Sequence, residues 1–249
     1  MQEMQSYQPR TRLFVDVPAL HVGQGITLGS AETHYLRSVL RAKIGQVIEI
    51  FNGTHGGFTA EIRRIDKTSA QLELKMQTRA QEFLPKLSLA FAILKKDRVH
   101  MVVEKAIELG AARIVPVITE RTQGQAVKQL KIHKLDRYVI EAAEQCGRTA
   151  LAQLEPPHHL TDLLAEISPP DCLLYADEMR AGEACTWPAP AGWTTLLTGP
   201  EGGFSKAERQ ALRAHQAAAP ITLGPRILRA ETAAAAALSL WQHKFGDWR

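Results

Sequence analysis

Leu87-Ser-Leu-Ala-Phe-Ala-Ile-Leu94 is an unbroken apolar run, the pattern of a β-strand buried on both faces. Residues 98–109 follow with Val99, Val102, Val103, Ala106 and Ile107 at helical offsets, and Gly110 stands where such a helix would end. Arg113-Ile-Val-Pro-Val-Ile118 reads as the next strand, although Pro116 cannot donate to a ladder and argues for an edge or a strand end. One long helix is expected over 127–146. Further strands are expected over 172–176, 194–198 and 221–223, alternating with helices over 161–167, 205–216 and 230–244. Strand and helix in alternation predict an α/β fold whose parallel sheet is covered by helices. Ligands of such sheets bind where loops leave the carboxyl ends of the strands.

Upstream the rhythm is different. Arg12-Leu-Phe-Val15 is a short strand candidate, and Val47-Ile-Glu-Ile-Phe51 alternates before an Asn52-Gly53 turn. Runs over 58–65 and 70–76 follow, with residues 32–41 read as a helix carrying Leu36, Val39 and Leu40 on one face. Gly23, Gly25 and Gly29 miss the dinucleotide pattern by one residue and are read as turns. These features predict a compact, barrel-like β module over 1–75 and a second domain over 76–249, with the polar stretch 77–86, closed by Pro85, as the junction.

Composition sets outer bounds. The chain has 249 residues, 45% hydrophobic and 22% charged, with a formal net charge of +4; disorder and collagen-like repeats are excluded. Cys146, Cys172 and Cys185 share no CxxC spacing and cannot all pair, which fits a reduced cytoplasm rather than a disulfide framework. No run approaches a membrane span, and the opening MQEMQSYQPRTR lacks the apolar core of a signal peptide. Basic residues outnumber acidic ones 9 to 7 over 1–75 and 13 to 9 over 76–160, but are outnumbered 8 to 10 thereafter. A positive surplus in the first two thirds suits a phosphate backbone, and equally an ordinary solvated surface.

Two loops stand where a parallel sheet would place a ligand. Thr198-Gly-Pro-Glu-Gly-Gly-Phe-Ser205 leaves a strand through bare backbone that can approach a ligand closely, and Ser205 with Glu208 has capping-box spacing. The loop fits neither the P-loop nor GxGxxG. Leu223-Gly-Pro-Arg-Ile-Leu-Arg-Ala-Glu-Thr232 again passes through Gly-Pro into a helix. Ile227 and Leu228 in this loop could wall a flat aromatic ligand, or simply dock on the core. The helix behind contains Ala233 to Ala237 unbroken, which removes bulk on every face. A third segment, Glu141-Ala-Ala-Glu-Gln-Cys-Gly-Arg148, sets Glu141, Glu144, Gln145 and Arg148 at offsets of three, four and seven, as on one helical face. No GxSxG elbow, HExxH or Cys/His array is present, and the adjacent His158 and His159 lack metal-ligand spacing.

Together with Leu94-Lys-Lys-Asp-Arg98, Glu104-Lys-Ala-Ile-Glu-Leu-Gly110 and His34-Tyr-Leu-Arg-Ser-Val-Leu-Arg41, these strings resemble the RsmE family, over nearly the whole chain. The resemblance implies a SPOUT-type trefoil-knot α/β domain behind a PUA-like RNA-binding domain. It also implies a homodimer that uses S-adenosylmethionine to methylate uridine N3 near the 3′ end of bacterial 16S rRNA, within the small ribosomal subunit. The cofactor loops would be 175–178, 198–204 and 223–229, which gives Tyr175, Ala176, Thr198, Gly199, Pro200, Glu201, Gly202, Gly203, Leu223, Gly224, Ile227, Leu228 and Arg229 as binding residues. Arg148, donated by the opposite subunit, is the expected catalytic cation; Glu141, Glu144, Glu201 and Glu231 are the candidate bases. RNA contacts are expected from Arg10, Arg12, Arg37, Arg41, Lys95, Lys96 and Arg121, with Arg37 and Arg41 four apart on one helical face. No metal is expected. A catalytically silent RNA-binding protein, or a methyltransferase of another nucleoside, are the alternatives.

Overall fold

The computed structural model describes residues 11–180 and 187–248. The chain divides into two compact units: the first holds the chain up to Phe83 together with Ala143–Leu151, and the second holds Leu84–Ala142 and Ala152 onward.

In the first unit, β1 (Arg12–Phe14), β2 (Gly25–Leu28), β3 (Val47–Phe51), β4 (Gly57–Ile65) and β5 (Ala70–Arg79) form one sheet in the order β1-β3-β4-β5-β2. All its neighbours run antiparallel except β1 and β3. Its inward face buries Leu13, Ile26, Leu28, Ile48, Ile50, Ile62, Leu72 and Leu74 in one core. Strand β2 occupies the stretch expected to be turns; Ile26 and Leu28 point inward at alternate positions and pay no attention to the flanking glycines. The helix expected over 32–41 is α-helical only as α1 (Ser30–His34), and a π-helical turn follows over Tyr35–Val39. Leu36 is buried, but Val39 is 60% exposed, so the expected apolar face does not form. Arg41 then adopts φ 50°, the left-handed region that ends a helix.

Glu49 is a buried acid of this unit, 2% exposed. Arg12 Nε donates to it at 3.0 Å, Arg79 Nε at 2.9 Å and the Thr78 hydroxyl at 3.0 Å. A carboxylate so enclosed is tolerated because both of its oxygens accept from donors, two of them cationic.

The second unit is a seven-stranded parallel sheet. Its elements are β6 (Leu87–Ala92), α2 (Lys96–Glu108), β7 (Arg113–Ile118), α3 (Gly124–Gln129), α4 (Ile132–Cys146), β8 (Gln153–Leu154), β9 (His158–His159), α5 (Leu160–Glu166), β10 (Cys172–Ala176), β11 (Thr194–Thr198), α6 (Lys206–Ala214), β12 (Ala218–Ile221) and α7 (Ala230–Phe245). The last turn of α4 groups with the first unit. The order is β12-β10-β11-β6-β7-β8, with β9 also on β7. All six residues of β6 are buried, as its apolar run requires. Pro116 sits inside β7, not at its end. Val117 C=O accepts from Ile93 on the β6 side, so the neighbouring Pro116 faces the opposite side. There the two-residue strands β8 and β9 pair only with the two ends of β7, and the missing N–H falls between them.

Two further boundaries differ from expectation. Strand β12 ends at Ile221, which frees Thr222–Gly224 for the following loop; its Pro220 is accommodated because β12 is an edge strand. The single helix expected over 127–146 is two, broken at Leu130, whose ψ of 115° is extended. Among the described residues no helix is long and apolar enough to cross a membrane.

Candidate functional site

Strands β10, β11 and β12 are adjacent and parallel, so their C-terminal ends open on the same edge of the sheet. The loops that leave them line one cavity of about 480 Å³. Ala176, Gly199, Pro200, Glu201, Gly202, Gly203, Leu223, Gly224, Ile227, Leu228 and Arg229 all lie on its wall. Tyr175 and Thr198 do not; both are buried in the strands beneath.

The loop after β10 brings Asp177 and Glu178, which sequence reading did not select as ligand contacts. Asp177 is 2% exposed. Arg209, on α6, donates from Nη1 to Asp177 at 2.8 Å, from Nη2 to Glu178 at 2.7 Å, and from Nε to the Phe204 carbonyl at 3.2 Å. Burial alone would lower the Arg209 pKa, but the bond to Glu178 and the two acidic charges outweigh it and hold the guanidinium above its ordinary range. One side chain therefore ties the loop after β10 to the loop after β11.

The loop after β11 needs its glycines. Gly203 has φ 68°, donates to the Pro200 carbonyl at 2.8 Å, and a Cβ on it would collide with Glu178 Oε1. The ring of Phe204 lies 3.1 Å from where a Gly199 Cβ would stand. Ser205 and Glu208 form the expected capping box, so α6 starts at once and holds the loop's far end. Arg98, at the start of α2, pairs with Glu201 at 3.2 Å, and Arg121 donates to the Gly202 carbonyl.

The loop after β12 turns at Gly224, φ 100°. Ile227 is 83% exposed and Leu228 half-buried, so Ile227 stands at the mouth of the cavity instead of docking on the core. An aliphatic side chain held in water gains nothing for the fold; a ligand surface would cover it. Ala230 and Ala233 from the first turns of α7 complete the wall, while Ala234 and Ala237 are buried. Arg98, Thr222 and Arg226 also line the cavity. Arg98 and Arg226 stand in stretches the sequence reading singled out, but neither was selected as a contact, and nothing in the residue type of Thr222 marks it.

Arg148 belongs to the first unit and is 7% exposed. It does not extend the helical face expected for it. Helix α4 stops at Cys146, Gly147 takes φ 84°, and the Arg148 N–H folds back to the Ala143 carbonyl at 3.1 Å. Its Nε lies 4.0 Å from Glu82, and burial lowers its pKa against the opposing pull of that carboxylate. Of the four candidate bases, Glu141 pairs with Arg137 at 2.7 Å and Glu144 accepts the Phe14 N–H at 2.9 Å. Glu201 alone of the four lines the cavity, and Glu231 is half-buried in the first turn of α7.

The RNA-contact candidates scatter. Arg12 is engaged by Glu49. Arg37 and Arg41 are exposed, but the π-helical turn and the left-handed Arg41 take them off any common α-helical face. Lys95 and Arg121 are exposed in the second unit. Arg10 and the side chain of Lys96 lie outside the described residues. Among the described residues, no group of His, Cys, Asp and Glu is arranged to hold a metal ion.

Comparison with known proteins agrees with this architecture. A family model described as an RNA methyltransferase domain matches residues 81–242, and one described as an RNA methyltransferase PUA domain matches 28–75. A ribosomal RNA small subunit methyltransferase E of Rickettsia conorii is 35% identical over 83% of this chain and 84% of its own length. The protein of that name from Buchnera aphidicola (subspecies Schizaphis graminum) is 32% identical over 92% and 94%. The crystal structure of a Neisseria gonorrhoeae ribosomal RNA small subunit methyltransferase E bound to S-adenosyl methionine matches with a TM-score of 0.86 at 30% identity, over 96% of this chain and 99% of that one. With both domain types present and the match running almost end to end, this chain belongs to the ribosomal RNA small subunit methyltransferase E family, built on the SPOUT methyltransferase fold behind a PUA-like domain.

Proposed function

We propose that this protein transfers the methyl group of S-adenosylmethionine to N3 of a uridine near the 3′ end of 16S rRNA, as a homodimer in the cytoplasm acting on the small ribosomal subunit. The observation that carries the reading is the convergence of three loops, two of them glycine-bearing, on one cavity, in a chain whose Neisseria relative was solved with this methyl donor.

The residues present fit the donor. Its flat adenine suits the apolar stretch at Leu223, Ile227 and Leu228, where exposed backbone can bond the ring edge. Its cationic sulfonium and amino group suit the acids Asp177, Glu178 and Glu201, and its carboxylate suits Arg98, Arg226 or Arg229. When bound, the donor supplies an electrophilic methyl carbon; the chain's own work is to hold it in line with the nucleophile.

Uridine N3 carries a proton at neutral pH, so that proton must leave and the resulting charge must be held. Glu201 is assigned the proton because it is the candidate carboxylate on the cavity wall. Arg148 of a second copy is assigned the charge on the uracil oxygens. Its guanidinium is shielded from water, and a charge in such surroundings acts more strongly. Arg37, Arg41, Lys95 and Arg121, exposed and cationic, are assigned to the RNA backbone.

Small ribosomal subunits from a strain lacking this protein, incubated with it and labelled donor, then digested to nucleosides, test the reading. Label recovered in 3-methyluridine is expected. Absence of label, or label in another nucleoside, contradicts it.

A further inference from the structure

A second cavity of the second unit, about 360 Å³, belongs to none of the loops described above. It exists because the helix expected over 127–146 breaks. Leu130 turns extended between α3 and α4, and the two helices splay around its side chain. Leu94, Val99, Leu130 and Leu135 contribute its apolar surface. Tyr138 is half-buried on the wall, its ring braced by His100 at a centroid distance of 4.1 Å. Lys128, Lys131 and Lys134 stand on the wall, all exposed, and none is ion-paired to a described residue. Among the described residues, no acidic side chain lines the cavity.

An apolar slot carrying an aromatic ring and edged by lysines unpaired among the described residues is complementary to a molecule that is flat and apolar in one part and anionic in the next. A nucleotide of single-stranded RNA has that make-up: the base has a π-face, and each linkage carries a negative charge. A buried apolar partner chain would leave the lysines unanswered, and duplex RNA would offer phosphates without a base to fill the slot.

We propose that this groove is a secondary RNA-binding site, which takes one unstacked base of a single-stranded segment against Tyr138 and the leucines, with the flanking phosphates on Lys128, Lys131 and Lys134. The inference rests on the reading of the substrate as RNA. It places a contact that fixes the RNA at a point separate from the cavity between the three loops.

The test is direct binding, without turnover, of a labelled single-stranded RNA of about eight nucleotides and of an RNA duplex. Wild type is compared with Lys128→Glu/Lys131→Glu/Lys134→Glu, with Tyr138→Ala and with Tyr138→Phe. The triple variant should bind the single strand at least about tenfold more weakly, and its slope of log affinity against log salt should fall by about 2. Tyr138→Ala should weaken the same complex by about tenfold, and Tyr138→Phe should restore it. Duplex affinity should not change.

Wild-type affinity in the triple variant overturns the inference. So does an equal loss for duplex and single strand with Tyr138→Ala like wild type, which would mark a diffuse cationic surface. A change in oligomeric state with RNA affinity intact would assign the groove to a second copy of the chain and overturn it equally. Calorimetric titration with S-adenosylmethionine runs alongside: retained donor binding shows that the variants are folded, and a wild type that binds RNA but no donor defeats the methyltransferase reading while leaving this one standing.

Discussion

Arg209 donates to the buried carboxylate of Asp177 at 2.8 Å, and with its second terminal nitrogen to Glu178 at 2.7 Å. Asp177 is the first residue past β10: its N–H still reaches the Ile221 carbonyl of β12, while its side chain already turns toward α6. Burying a carboxylate to 2% exposure is costly unless it is paired and hydrogen-bonded. The shape of the loop after β10, and through Glu178 and Phe204 its distance from the loop after β11, therefore depends on one guanidinium.

Among the described residues, Arg209→Ala leaves Asp177 with the Met179 N–H at 3.2 Å and, as its one cationic partner, Arg213 at 3.5 Å. Breaking a buried ion pair from one side costs about 3–5 kcal/mol; the partial exposure of Arg209 places the expected loss near the lower end, about 3 kcal/mol. Urea unfolding measures it. Donor affinity should fall with it, and Arg209→Lys, which can satisfy one acid but not both, should recover only part of each.

Gly203→Ala should weaken donor binding by more than Gly224→Ala. Both positions have positive φ, so both substitutions carry backbone strain of about 1 kcal/mol. Only at Gly203 does the added carbon also displace Glu178; nothing lies within 4 Å of the Gly224 position. Calorimetric titration of the two variants with S-adenosylmethionine checks the order, and equal affinities would show that the Glu178 contact is irrelevant to the site.

Arg148→Ala should reduce turnover by well over tenfold, which is about 1.4 kcal/mol of barrier, with donor affinity near wild type. Single-turnover rates on small ribosomal subunits separate the two. A variant within tenfold of wild type removes Arg148 from the chemistry.

Gln242, 1% exposed, ties the end of α7 to the end of α2: its Nε2 donates to the Leu109 carbonyl at 2.8 Å, and its Oε1 accepts the Asp247 N–H at 3.2 Å. Gly110, with φ 81°, leaves room for the amide; a Cβ there would strike it. Gln242→Leu leaves a buried carbonyl without this donor and should cost about 1–3 kcal/mol, read as a lower midpoint in thermal or urea unfolding.

The cysteines should differ in reactivity. Burial pushes the Cys172 thiol up, against a weak bond to the Thr194 hydroxyl, whereas Cys146 is exposed. Since the thiolate is the nucleophile, Cys172 should react measurably only as pH rises above the ordinary thiol range. At neutral pH Cys146 should be alkylated first, as followed by peptide mapping over a pH series. Equal rates at neutral pH would contradict the packing around β10.

The parts of the fold most legible in the sequence are those where burial leaves a run. Strands β6, β7 and β10 are predominantly apolar, and helix α2 repeats its apolar positions without interruption. Strands β8 and β9 are two residues long and made of Gln153, Leu154, His158 and His159, too short for any period to register. The break at Leu130 has no glycine or proline to announce it. At the site, glycine and proline marked the loops after β11 and β12 because backbone exposure is written in residue type. Asp177, Glu178 and Arg98 were not legible as a group. Their partners Arg209 and Glu201 are 32 or 31 and 103 residues away, and only the parallel pairing of β10, β11 and β12 brings them together.

Crystals grown with S-adenosylmethionine provide the most direct measurement of the central claim. Electron density for the donor should fill the cavity between residues 199–203 and 223–229, with Ile227 in contact with it. An empty cavity at saturating donor, or donor bound anywhere else, would contradict it.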